Sequence, residues 1–217
     1  MKVAVIQFPG SSSDVLNAAK KAGIDAEHVD CRETSLDAYD GILIPSGASY
    51  GHYLRPGAIA AVAPIIPAIK QAAQDNKPVV GIQNGFQILT EIGLLPGSLA
   101  QNKNVKFISR NETITVANSN SKFTNYLNKT ITFPIAHATG QYMASEETLK
   151  QLQDNNQIVF TYANNPNGSA LDIAGITNEA GNVLGLMPHP ERATDKILGS
   201  DDGLQLFKNI ANWGQQS

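Results

Sequence analysis

Apolar positions recur with two different periods from Met1 to Leu89, and the switches between them describe a chain that alternates strand and helix. Lys2–Phe8 alternates apolar residues and stops at Pro9-Gly10, which predicts a strand. Ser13–Ala22 repeats with helical spacing, starts on Ser/Asp and ends before Gly23. Ala26–Asp30, Gly41–Ile44 and Val79–Ile82 read as short strands, and Ala58–Ala73 as a helix that Pro64 and Pro67 should split in two. Such repetition predicts an α/β fold: a three-layer sandwich around a mostly parallel, flavodoxin-like sheet with right-handed crossovers. From about Asn104 the pattern turns β-rich, with strands predicted at Val105–Ser109, Thr113–Ala117, Thr130–Ile135, Ile158–Tyr162, Ile173–Thr177 and Val183–Met187. A helix over Asp201–Trp213 closes the chain, and no repeat or linker divides residues 1–217 into separate domains.

One junction in this pattern carries chemistry. Val79-Val80-Gly81-Ile82 runs into Gln83, and Asn84-Gly85-Phe86-Gln87-Ile88-Leu89 then opens a helix. Glycines at minus two and plus two of a strand-to-helix corner are the pattern of a nucleophile elbow, where a strained turn raises one side chain at the rim of a sheet. Small residues are needed because strand and helix backbones come close there. The apex should carry Cys or Ser. It carries Gln83, whose amide has no electron pair of useful basicity. The apex is expected to point into a solvated pocket and so to tolerate the longer side chain.

Bulk composition narrows the setting. The 217 residues are 42% hydrophobic with a net charge of −3, enough apolar content for a sizeable core and no electrostatic footprint for nucleic acid or anionic membrane. No apolar run is long enough for a signal peptide or a bilayer span, so a cytoplasmic protein is expected. A single cysteine, Cys31, excludes an intramolecular disulfide and argues against a thiolate metal site. In a 2-1-3-4 strand order Cys31 lies about 14 Å from the elbow strand, too far to replace a missing nucleophile. Ser46 and Ser49 are nearer, but neither sits on an elbow or has an evident base.

Met187-Pro188-His189-Pro190-Glu191-Arg192 follows the last predicted strand. Residues two apart in an extended segment project to one side, so His189 and Glu191 can pair as a base and its orienting carboxylate. A lone His-x-Glu is more often structural than catalytic; beside an elbow it gains weight. The loop Pro9-Gly10-Ser11-Ser12-Ser13-Asp14 has two readings, phosphate binding through backbone N–H groups or helix capping by Ser12 or Ser13, and Asp14 favours capping. Arg55 reads as a surface or partner-facing residue or as half of an ion pair, and Trp213 as helix packing.

Taken together, AVIQFPGSSSD, RETSLDAYDGILIP, SYGHYLRPGAIA, NGFQILTEIGLLPG, the stretch from Asn102 to Arg110, NPNGSALDIAGITNEAGNVLG, MPHPERA and LGSDDGLQLF resemble the glutaminase subunits of phosphoribosylformylglycinamidine synthase, nearly end to end. The resemblance implies a triad-type glutamine amidotransferase of purine biosynthesis, with no cofactor or metal, that passes ammonia to a large synthetase subunit. It assigns His189 as general base, Glu191 as its partner, and Gln83 to the nucleophile position. It places oxyanion or substrate contacts at Gly47, Asn84, Ser49, Tyr50, His137 and Gly140. Departures from the family pattern gather at the same place. Pro45-Ser46-Gly47-Ala48-Ser49-Tyr50-Gly51-His52 stands for Pro-Gly-Gly-Phe-Ser-Tyr-Gly-Asp, and His137-Ala138-Thr139-Gly140-Gln141 for His-Gly-Glu-Gly-Asn. Three functions follow as expectations: the family role in a glutaminase-deficient chain with doubtful glutamine binding, a non-catalytic subunit docking on the synthetase, or a flavodoxin-like anion or nucleotide binder.

Overall fold

The computed structural model describes residues 1–215. The elements, in chain order, are β1 (Lys2–Gln7), α1 (Asp14–Lys21), β2 (Asp25–Asp30), β3 (Gly41–Ile44), α2 (Ile66–Gln74), β4 (Val79–Ile82), α3 (Asn84–Glu91) and β5 (Ser98–Gln101). They continue with β6 (Ile108–Val116), β7 (Thr130–His137), β8 (Thr139–Met143), α4 (Glu146–Asp154), β9 (Ile158–Tyr162), β10 (Ile173–Thr177), β11 (Val183–Leu186) and α5 (Asp202–Ala211). A nine-stranded sheet in the order β2-β1-β3-β4-β11-β10-β9-β6-β7 forms the middle layer. The pairs from β2 through β11 are parallel and those from β11 through β7 antiparallel, so the sheet is mixed.

Alternation along each strand sorts its side chains between two cores. On β1, Ala4 and Ile6 face the layer of α2 and α3, while Val3 and Val5 face α1 and α5. On β4 and β11 the positions facing α3 include Gly81 and Gly185, and that helix lies against their backbone. A Cβ on Gly185 would meet Phe86 Cδ2 at 2.1 Å, and a Cβ on Gly81 would meet the carbonyl of Gly85 at 2.6 Å. The missing side chains are what lets α3 start directly above β4. Buried Phe86 fills the space over Gly185, worth about 1.5–3 kcal/mol for an apolar side chain of this size.

Several boundaries differ from the sequence pattern. Val105–Ser109 and Thr113–Ala117, expected as two strands, are redrawn: Val105 has φ 58° in a turn closed by its N–H to Asn102 O, residues 105–107 lie outside any strand, and β6 runs unbroken from Ile108 to Val116. Pro64 separates a short turn of helix, Ala60–Val62, from α2, but Pro67 sits in the first turn of α2, where its missing N–H costs nothing. Trp213 falls in a helical turn after α5 and packs its ring 4.7 Å from that of Phe123. The small β5–β8 sheet and α4 have no counterpart in the sequence pattern. No helix among the described residues is long and apolar enough to cross a membrane.

Candidate active site

The elbow is built where β4 and β11 run side by side. Gln83 N–H donates to Leu186 O of β11 at 2.8 Å, and the Gln83 carbonyl receives the first α3 bond from Gln87 N–H at 3.1 Å. Between these anchors Gln83 adopts φ 49°, ψ −96°, a conformation that costs on the order of 1–3 kcal/mol for a residue with a Cβ. The side chain is 5% exposed. The expected solvated apex is therefore a buried one, and its amide is engaged: Gln83 Oε1 accepts the Gly47 N–H at 3.0 Å.

Gly47 is held in place by the loop after β1. Its φ of 130° and the 2.4 Å that would separate a Cβ from Gly10 O leave room only for glycine. Ser12 N–H donates to Ser46 O, Ala48 N–H to Gly10 O and Tyr50 N–H to Pro9 O, which lace the two loops together. This lacing disposes of the phosphate reading. Ser11 and Ser12 N–H groups are spent on Phe8 O and Ser46 O, and Ser12 Oγ accepts the Asp14 N–H at 3.1 Å. Of the two serines expected to cap α1, Ser12 takes the first-turn N–H, while Ser13 at the N-cap makes no side-chain bond.

His189 and Glu191 do meet, though not along an extended segment: Pro190–Arg192 forms a 3-10 turn, and the turn brings the two side chains together. His189 Nδ1 and Glu191 Oε1 are 2.7 Å apart, both residues buried, and the imidazole Nε2 has no hydrogen-bond partner. The segment is clamped from both sides, by His189 N–H to Pro134 O of β7 and by Gly203 at the start of α5, where a Cβ would lie 1.9 Å from Pro190 O. With Nδ1 donating to the carboxylate, Nε2 presents a lone pair. Ser46 Oγ also donates to Glu191 Oε1 at 2.7 Å. The sequence pattern shows no such partner for Ser46; it is a donor that orients the carboxylate, and its proton already has an acceptor.

A second imidazole approaches from the end of β7. Asn102 Nδ2 donates to the carbonyls of Lys106 and His137, so its Oδ1 must face His137 Nδ1 at 3.0 Å and Gly140 N–H at 3.1 Å. His137 therefore carries its proton on Nδ1, and its buried Nε2 is unpartnered. Burial first, and then the His189 imidazole, push the His137 pKa down to about 4. Burial also lowers that of His52.

Gln83, Gly47, His137 and His189 share one cavity of about 400 Å³ with His52, Gln87, Phe107, Thr139 and Arg192. Other expected contacts stand outside it. Ser49 N–H is taken by Asn84 Oδ1 at 3.0 Å, Tyr50 turns its hydroxyl to Cys31 Sγ at 3.6 Å, and Gly140 backs the His137 ring, where a Cβ would clash at 2.4 Å. The Cys31 thiol pushes the Tyr50 pKa up to about 12. Arg55 makes a bidentate pair with Glu91 at 2.7 and 2.6 Å. Phe107, Gln87 and Arg192 were not anticipated, since nothing local in their sequence marks them as wall residues. No group of three or more His, Cys, Asp or Glu among the described residues is arranged to hold a metal ion.

Known proteins share this constellation's scaffold. Residues 1–214 match the CobB/CobQ-like glutamine amidotransferase domain. The chain is 55% identical over 222 residues, covering all of both proteins, to phosphoribosylformylglycinamidine synthase subunit PurQ of Staphylococcus saprophyticus. A chain in the structure of PurLQS from Thermotoga maritima superposes with a TM-score of 0.90 at 41% identity, covering 98% of each chain. Another glutamine amidotransferase from Thermotoga maritima shares the fold, with a TM-score of 0.66 at 15% identity over 100% of this chain and 99% of that one.

Proposed function

Because the chain belongs to the CobB/CobQ-like glutamine amidotransferase family, we propose that it is the glutaminase-type subunit of a phosphoribosylformylglycinamidine synthase, docked on a synthetase partner but unable to hydrolyse glutamine at a useful rate. The first half rests on full-length similarity to PurQ and on the fold shared with a chain of a PurLQS structure. The second rests on one observation: the apex side chain is the amide of Gln83, and its own oxygen occupies the Gly47 N–H. In acyl transfer by an elbow enzyme, a backbone donor of this kind receives the oxyanion of the substrate carbonyl. Here that donor is filled from within, and the apex atom that should attack is a carbon. Removing the nucleophile of a triad costs on the order of a million-fold in turnover, because its members act as a unit.

The test is ammonia release from glutamine, measured with and without the synthetase partner and against a His189→Ala control. Release no faster than the control, together with synthesis that runs on added ammonia once the partner is present, is the expected outcome. Glutamine-dependent release at an ordinary enzymatic rate overturns the reading. Synthetase activity on ammonia that rises when this chain is added identifies it as a docking subunit in its own right.

A further inference from the structure

We propose that Gln83 is itself a substrate of the site it stands in: the chain slowly hydrolyses the Gln83 side-chain amide, consuming one water, releasing one ammonia and leaving a glutamate at the elbow apex. This rests on the proposed function only in that His189 and Glu191 act as a base pair.

Atom positions lead to it. When a thiol at an elbow apex is acylated, the acyl carbon sits two bonds beyond Cβ, with its oxygen on the backbone donor, and base-activated water attacks it. In glutamine the carboxamide carbon Cδ is also two bonds beyond Cβ. Its oxygen, Gln83 Oε1, lies 3.0 Å from Gly47 N, on such a donor. The group in the position of an acyl-enzyme is therefore a primary amide, polarised and held by the Gly47 N–H. His189 shares the cavity wall with it, oriented by Glu191 and with Nε2 free of any partner. Water passes one proton to His189 Nε2 and its hydroxyl to Cδ; the tetrahedral oxyanion is held by Gly47 N–H; the Cδ–Nε2 bond of Gln83 breaks as His189 returns the proton to the departing nitrogen, and the remaining hydroxyl proton passes to the released ammonia, leaving ammonium and a carboxylate. No oxidant, metal or other reactant enters. The glutamate formed keeps one oxygen on Gly47 and stands at the amino end of α3, where the helix dipole favours a negative charge.

Two features make the reaction slow. An amide is a poorer acyl donor than a thioester, and His189 Nε2 is buried, which limits its access to water. Against a solvent-exposed glutamine, general-base help of about 10²–10⁴ and one oxyanion donor of about 10²–10³ still leave a large advantage. Even with most of it forfeited to poor access, conversion at least a hundred-fold faster than at an exposed glutamine is expected, on the order of the smaller of these factors.

The full chain is incubated in heavy-oxygen water at neutral pH, then digested in ordinary water and sequenced by fragment-ion mass spectrometry. The expected result is heavy oxygen incorporated at Gln83 far faster than at the exposed Gln151 and Gln153 of the same molecule. Site assignment matters because Asn84-Gly85 follows directly, and asparagine before glycine deamidates through its own backbone. Incorporation at Asn84 alone overturns the proposal. So does a Gln83 rate equal to that of the exposed glutamines, or a fast Gln83 rate that persists when the chain is unfolded in urea. His189→Ala should abolish the difference, and the urea comparison decides the matter if that variant does not fold. Glutaminase turnover by protein whose Gln83 is intact would sink the proposed function while leaving this mass result untouched.

Discussion

Gly85→Ala separates tertiary geometry from local propensity by sign. Gly85 lies inside α3, and helix propensity alone assigns the substitution a gain of about 1 kcal/mol. The structure assigns a loss. An added Cβ would sit 2.1 Å from Ile44 O and 2.9 Å from Ile44 C, and both are backbone atoms of β3. That strand is hydrogen-bonded to β1 on one side and β4 on the other, so it cannot retreat without breaking ladder bonds. Overpacking a close contact costs about 1–3 kcal/mol and more where backbone must move; after the propensity gain a net loss of roughly 2 kcal/mol remains. For a chain of this size each kcal/mol moves the melting temperature by about 2–4 °C, so a fall of about 4–8 °C is expected. Thermal unfolding followed by calorimetry measures it. Gly214→Ala, whose Cβ would meet nothing within 4 Å, is the control and should leave the melt unchanged. A melting temperature for Gly85→Ala at or above that of the parent would refute the claim that α3 is held against β3 at van der Waals limit, and with it the account of why the elbow carries glycines.

Gln83→Cys should place a thiol in the cavity that His189 lines and free the Gly47 donor, so it reacts with iodoacetamide ahead of Cys31, which is equally buried but has no base beside it and shares a hydrogen bond with Tyr50. Its glutaminase turnover should nevertheless stay roughly a hundred-fold below an ordinary family member, because small misplacements of substrate are expensive and Ala48, His52, Ala138, Thr139 and Gln141 stand where the resemblance expects other residues; equal turnover would show those loops to be neutral. Ser46→Ala removes one of two donors to Glu191 Oε1 and should cost about 0.5–1.5 kcal/mol in denaturant unfolding, an unchanged midpoint counting against its orienting role. His137 is neutral in the fold down to about pH 4 but takes a proton near pH 6.5 when unfolded. The unfolded chain thus binds more protons in that window, and stability falls as pH drops through it, by up to about 1.4 kcal/mol per unit. His137→Gln should flatten the slope between pH 6.5 and 5, and an unaltered slope would remove His137 as its source.

The parts of the fold visible in the chain are those whose signal is local. The apolar pattern marks β1 and short apolar runs mark β4 and β11, and the paired glycines mark the elbow because the close approach of two backbones leaves its trace at fixed sequence offsets. His189 and Glu191 were legible for the same reason, being two residues apart after a strand. Helix α4 was not, although Ser145 caps it through Thr148 N–H and two glutamates follow: only Leu152 is fully buried on its face, so the apolar stripe is too thin to register. The β5–β8 pair is short, and seven of its nine residues are exposed or partly so. What the sequence hides most completely is the set of contacts that orient the site's imidazoles and carboxylate. Asn102 sets the His137 tautomer across 35 positions, and Ser46 reaches Glu191 across 145, so neither has a local signature.

The backbones of the apex and of the base pair have separate anchors, while their side chains meet one loop: Gly47 N–H holds Gln83 Oε1 and the adjacent Ser46 Oγ holds Glu191 Oε1. Gln83 is fixed by β4, β11 and the start of α3, whereas His189 and Glu191 are fixed by the Pro134 carbonyl, the α5 terminus at Gly203 and Ser46. A change of side chain at the apex therefore need not shift the backbone that carries the base. Yet the arrangement is costly to maintain. Gln83 holds a φ of 49°, at a cost on the order of 1–3 kcal/mol, and the Nε2 atoms of His52, His137 and His189 make no hydrogen bond within the described residues. Packing alone gives no return for this, since an apolar wall would fill the cavity more cheaply. Polar side chains gathered on one cavity wall beside a strained apex are what a site for polar chemistry leaves in a fold, and Gln83, His52, His137 and His189 line that wall together.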